Sequence, residues 1–294
     1  MNACKFCGSE KTVKHGVRAG VQRLLCKNCG HKFYDNHVSF ARMRVNEHVI
    51  VTALNLYYDG LSTRKVQRQL SDIFGEQVAA STVWYWVSKY GEMVGQFVKT
   101  LAPKLGGKYH HDETAIFVGG EEKWFWETID EDTRFIVASM VSHSRTSADA
   151  IAVFTQALEK QRPTAFYTDG SFAYDEAIKK VFYTRYKANQ VEWVRRVGIK
   201  ARQTNNIVER VHGTLKDRIK PMRGLKNPKN LLEGYVVNYN FCRTHSSIGK
   251  TPAEAAGIEM KGWKQLIQNA TAEKTIQEVV QKQAEAIQME VRVK

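Results

Sequence analysis

The sequence predicts an α/β (α+β) chain in several parts, on three observations. Two Cys-x2-Cys pairs fall within the first 29 residues. Apolar residues recur at helical spacing between residues 44 and 100. From residue 108 to about 181, strand-like and helix-like runs follow in the order β-β-β-α-β-α. With 294 residues and a hydrophobic fraction of 43%, the chain can bury a sizeable core. No apolar run approaches the ~18 residues of a membrane span, and the N-terminus lacks a signal-peptide pattern. The expectation is a soluble cytoplasmic protein with no membrane partner.

Net charge is +14 with a pI near 9.5, which favours a polyanionic partner. Its distribution is more informative than its total. Residues 1–107 carry +8, residues 108–181 carry −5, residues 182–230 carry +10 and residues 231–294 carry +1. An acidic centre between basic flanks is not what a protein that merely coats nucleic acid needs. It suits an enzyme that collects cations where DNA is held.

The first part, residues 1–37, reads as a zinc ribbon. Cys4 and Cys7 form one Cys-x2-Cys knuckle and Cys26 and Cys29 the other, with an 18-residue gap between them. Zinc takes four soft ligands in a tetrahedron, and each knuckle supplies two thiolates from one tight turn. Strands are expected over residues 12–17 and 21–25. So short a segment has little core, so one structural Zn2+ is expected to hold it folded. Cys242 stands apart and reads as a packed thiol.

The second part, residues 44–100, reads as three helices in a helix-turn-helix arrangement that binds DNA. The first helix is expected over residues 47–58, stopped by Gly60. Ser62 caps a second over residues 63–70, and Ser81 a third carrying Val83, Val87, Tyr90 and Val94 inward. The third helix would enter a groove through Thr82, Trp84, Tyr85, Ser88 or Lys89.

The third part, residues 108–257, is expected to be catalytic. Strands are expected over residues 109–118, 123–129 and 134–141, then a helix over 147–160, a strand over 164–168 and a helix over 174–181. That is the order of a ribonuclease-H-like domain: three antiparallel strands, then a crossover to a fourth strand beside the first. Asp112 in the first strand and Asp169 at the tip of the fourth then become neighbours. A helix from Asn205 to about Lys220, with Val208, Val211, Leu215 and Ile219 as its apolar stripe, offers Glu209 near its start and Lys216 two turns along. Three carboxylates from separate elements suit two Mg2+ (or Mn2+) ions, with Asp112 or Asp169 bridging them. Glu113, one residue from Asp112, faces the other way. A further helix is expected over residues 228–243. Residues 258–294 read as a peripheral helical tail.

Three segments together resemble the acidic motifs of DDE transposases, in particular the IS6/IS240-like insertion-sequence family. They are His111-Asp112-Glu113-Thr114, Tyr167-Thr168-Asp169-Gly170-Ser171, and Asn206-Ile207-Val208-Glu209-Arg210 with Lys216. The stretch from Asn240 to Ser247, with Thr251 to Gly257, resembles the closing motif of many transposases and integrases. The resemblance implies a prokaryotic, nucleoid-associated enzyme that binds the terminal inverted repeats of its element, nicks DNA and joins the freed 3′-hydroxyl to target DNA by a copy-in route. It also implies that Asp112, Asp169 and Glu209 are catalytic. Lys216 would touch a phosphate, and Arg195, Arg196, Lys200, Arg202, Arg210, Arg218, Lys220 and Arg223 would track the DNA backbone. Bringing two DNA ends together requires a homo-oligomer, at least a dimer.

Overall fold

The computed structural model describes residues 4, 7, 9–18, 21–34, 40, 43–195, 206–222, 225 and 228–273. Arg196, Lys200, Arg202, Asn205, Arg223 and most of the expected tail lie outside them. The chain divides into two compact units, one of residues 1–51 with 264–294 and one of residues 52–263.

In the first unit, β1 (Thr12–Arg18), β2 (Val21–Cys26) and β3 (Lys32–Tyr34) form an antiparallel sheet in that order. The third strand was not anticipated. At three residues it is too short for alternation to announce it. Among the described residues, Leu24 and Phe33 pack with Cys4 and Cys26 in a small buried cluster.

The second unit contains most of the helices and a mixed sheet. Helix α1 (Glu47–Tyr58), which belongs to this unit from Thr52 on, spans the expected residues. Helix α2 (Thr63–Phe74) starts at the expected cap, with Ser62 Oγ accepting from the Lys65 N–H, and ends on Gly75 in the left-handed region. Helix α3 (Ala80–Lys99) corrects one expectation: its cap is Ala79, which makes no side-chain capping bond, and Ser81 lies inside the helix. Ser is the better cap by propensity, yet tertiary packing places the first turn two residues earlier. Gly95 of α3 faces α7 (Pro228–Val237), where an added Cβ would lie 3.1 Å from Glu233 Cβ, so small residues permit this close helix approach.

The sheet has the order β6-β5-β4-β7-β8. Strands β4 (Lys108–Val118), β5 (Glu121–Asp130) and β6 (Ile136–Ser142) are antiparallel neighbours, and β7 (Ala165–Thr168) runs parallel beside β4. This is the ribonuclease-H-like order. A fifth strand, β8 (Glu192–Arg195), pairs in parallel with β7 and was not foreseen. Helices α4 (Ser147–Lys160) and α5 (Ala173–Phe182) contribute Phe154 and Tyr174 to an aromatic cluster around His111. On the opposite face α6 (Asn206–Ile219) packs on β4 and β5. The expected helix over 228–243 ends at Val237 and continues as a π-helical turn, Asn238–Cys242. There Asn240 both donates to Ile136 O and accepts from Ile136 N–H, closing the edge of β6 as another strand would. Thr251 and Glu254 form a capping box that starts α8 (Pro252–Ala255). Among the described residues no helix is long and apolar enough to cross a membrane.

Candidate active site

The register of the sheet builds the centre. Tyr109 pairs with Phe166 and His110 with Tyr167, so the next two steps along parallel β4 and β7 bring Asp112 level with Asp169. Asp169 lies just past the end of β7, and its Oδ1 accepts from the Ser171 N–H at 2.8 Å. Burial raises Asp112 to a pKa of about 7, and the nearby carboxylates of Glu113 and Asp169 push it the same way. Its side chain is 22% exposed, against 43% for Asp169.

Strand alternation separates Asp112 from its neighbours in sequence. His111 is fully buried between Trp126, Phe154 and Tyr174, and its Nδ1 pairs with Thr128 Oγ1 at 2.8 Å. Burial there pushes its pKa down to about 3, so it stays a neutral packing ring. Glu113, on the same face, accepts from the Tyr174 hydroxyl and pairs with Arg145. Arg145 lies over the Trp124 ring and extends Nη2 to 3.7 Å from Asp169 Oδ2. Glu113 therefore reaches the centre indirectly, by fixing the cation that flanks Asp169.

The other face carries two residues that sequence reasoning missed. Glu127 sits directly opposite Asp112 in the antiparallel pair and is fully buried. His212 lies between them, Nδ1 3.8 Å from Asp112 Oδ2 and Nε2 3.5 Å from Glu127 Oε2. Both left a signal. Glu127 interrupts the apolar run of β5, and His212 follows Val208 by four residues on the buried stripe of α6.

Glu209 is in the first turn of α6, one turn before His212, and is exposed. Its carboxylate is not drawn into a cluster with the two aspartates. Among the described residues, only Cys4, Cys7, Cys26 and Cys29 have ligand atoms close enough to hold an ion as they stand, all within 4.8 Å of one another. The thiols of Cys4 and Cys29, and of Cys7 and Cys26, are each 3.6 Å apart. Cys242 is separate from them, and burial pushes its thiol well above its usual range.

The surface residues expected to meet DNA divide. Arg195, Arg210, Lys216 and Lys220 are exposed. On α3, Tyr85 is 53% exposed and Lys89 lies over the Tyr85 and Tyr90 rings. Arg218 is a correction: it is 1% exposed, with its guanidinium 3.7 Å above the Tyr57 ring. It follows Leu215 by three residues and so falls on the inward stripe of α6. From there it cannot follow a DNA backbone.

Comparison with known proteins bears on residues 30–247. A family model described as a DDE domain, of the IS240 transposase type, matches residues 106–247. A second, described as transposase, Mutator family, matches residues 30–106. The transposase for the insertion sequence-like element IS431mec of Staphylococcus aureus (strain N315) is 27% identical over 205 residues, 68% of this chain and 87% of that protein. The transposase for insertion sequence element IS257 in transposon Tn4003 of Staphylococcus aureus matches to the same extent. Among solved structures, the HTLV-2 integrase catalytic core domain in complex with magnesium (trimeric form) is 16% identical. It covers 53% of this chain and 98% of that one at a TM-score of 0.42. The catalytic core domain of BIV integrase is 18% identical, covering 51% and 93% at 0.39.

Proposed function

The chain belongs to the DDE transposases of the insertion-sequence type, and from that premise we propose that Asp112, Asp169 and Glu209 hold two Mg2+ (or Mn2+) ions where DNA is cut and joined. The observation that carries this reading is the juxtaposition of Asp112 on β4 with Asp169 just past the end of β7, two steps beyond the last paired residues. Two carboxylates whose mutual repulsion helps hold one of them near pKa 7 gain from a shared cation. Carboxylate oxygens are the hard donors that Mg2+ takes, so the donor set fits the ion. When bound, the ions supply charge stabilisation at the scissile phosphate and activate the attacking oxygen.

The chain's own residues do the remaining work. Ser171 N–H and Arg145 fix the Asp169 carboxylate. Glu209 completes the set from α6, and Lys216, seven residues along that helix, neutralises a phosphate oxygen. In the first step a water oxygen attacks phosphorus and the bond to the 3′-oxygen breaks, freeing a 3′-hydroxyl. In the second that hydroxyl attacks a target phosphate, the target strand's own 3′-oxygen leaves and is protonated, and one phosphodiester replaces another with no external energy. Helices α1–α3 serve as a helix-turn-helix that binds the element's ends through Tyr85 and Lys89. The four cysteines take one Zn2+, which closes the ribbon. Two or more copies assemble on DNA in the bacterial cytoplasm, associated with the nucleoid.

The test is strand joining in vitro. Protein, Mg2+ and DNA bearing the element's ends are mixed with a target plasmid, beside Asp169→Asn. Joined product that vanishes in the variant supports the reading. Cutting without joining would replace it with a nuclease. End binding with no chemistry in either protein would leave a DNA-binding regulator.

A further inference from the structure

The fully buried Glu127 has no place in the reaction just described, and its geometry is unusual. Among the described residues neither carboxylate oxygen has a hydrogen-bond partner, and the facing His212 Nε2, also buried, has none. A buried polar side chain left in this state is expensive unless it serves an arrangement. The ring of His212 lies between two carboxylates, one belonging to Asp112 and one to Glu127. Both separations exceed a closed hydrogen bond by roughly half an ångström, so a small advance of α6 on the sheet would close them. The surrounding hydroxyl of Tyr235 is already committed, donating to Val211 O at 3.0 Å.

We propose that Glu127 and His212 are a positioning pair: Glu127 orients the His212 ring, and His212 holds Asp112 in its metal-binding orientation. Because His212 is one turn from Glu209, the same contact seats the helix that brings the third carboxylate. A carboxylate that holds a ligating side chain through an imidazole is a general device for tuning metal sites. The inference rests on the three-carboxylate reading above, and its test separates the two.

The experiment is a Mn2+ titration of the zinc-loaded protein, followed by electron paramagnetic resonance of the free ion, with strand joining measured in parallel. The variants are His212→Ala, His212→Asn, Glu127→Gln, the Glu127→Gln/His212→Ala double and Asp112→Asn, each checked for folding by circular dichroism. His212→Ala weakens Mn2+ binding about 10–100-fold, and raised Mg2+ restores part of its joining activity. His212→Asn, whose amide nitrogen can stand in for Nδ1, recovers part of the affinity. Because Glu127 acts through the ring, the double variant binds no more weakly than His212→Ala alone. Wild-type affinity in a folded His212→Ala, with binding lost in Asp112→Asn, overturns the positioning pair while sparing the metal site. Additive losses for Glu127→Gln and His212→Ala overturn it as well. Wild-type affinity in Asp112→Asn removes the three-carboxylate site and this inference with it.

Discussion

One substitution made at two helical glycines should have opposite effects. Gly213 in α6 is exposed, and an added Cβ would meet none of the described residues within 4 Å. Gly234 in α7 lies against Tyr58: its Cβ would fall 1.8 Å from the hydroxyl oxygen and 2.4 Å from Cζ. That ring cannot withdraw, because it is stacked on Trp263 at 5.2 Å and meets the edge of Tyr57 at 5.2 Å. Alanine gains about 1 kcal/mol over glycine in a helix interior. Gly213→Ala should therefore stabilise by about 0.5–1 kcal/mol. At Gly234 the gain is opposed by overpacking of about 3 kcal/mol, leaving a net loss of about 2 kcal/mol. The two variants should differ by about 3 kcal/mol, or roughly 6–12 °C in midpoint for a domain of this size. Thermal and urea unfolding of the two variants beside wild type would measure this. A Gly234→Ala protein as stable as wild type, or two shifts of the same sign, would refute the packing described for α7.

Other consequences are equally direct. In the zinc-loaded protein none of the five cysteines should react quickly with iodoacetamide at pH 8. A chelator should expose the four ribbon thiols, while Cys242, its pKa raised by burial, stays unlabelled until unfolding; mass spectrometry showing Cys242 labelled with the others would contradict this. Arg145→Met leaves Glu113 buried with Tyr174 as its one remaining partner among the described residues. It should cost about 2 kcal/mol in urea unfolding, less than a fully buried pair because Arg145 is 39% exposed; a loss under about 0.5 kcal/mol would refute it. Affinity for DNA should fall steeply with salt. Arg210→Ala or Lys216→Ala should each lower the slope of log K against log salt by about 1, whereas Arg218→Met, its guanidinium withdrawn from solvent, should leave the slope unchanged.

Elements whose local signals agree with their packing were legible in the sequence. Helices α1 and α4 span their expected residues, and Asp112 and Asp169 were placed as neighbours from element order alone. The Cys4, Cys7, Cys26 and Cys29 cluster followed from ligand spacing. What escaped was decided by tertiary context. Strand β8 is four residues long, with a charge at each end, and exists because β7 offers it an edge. Arg218 lies on the apolar stripe, yet its charge argued for solvent; the Tyr57 ring face offsets part of that charge's loss of water. Glu127 and His212 acquire meaning only from the pairing of β4 with β5 and the docking of α6 on that face, neither of which periodicity along one element encodes.

The central claim concerns Glu209, whose carboxylate lies outside the aspartate pair. The most direct test is a crystal structure of the protein with its element's end DNA and Mn2+, with the ions located by anomalous scattering. The account predicts two Mn2+ ions ~4 Å apart, with Asp112, Asp169 and Glu209 all supplying oxygen ligands. Ions bound without Glu209, or held away from Asp112 and Asp169, would contradict it.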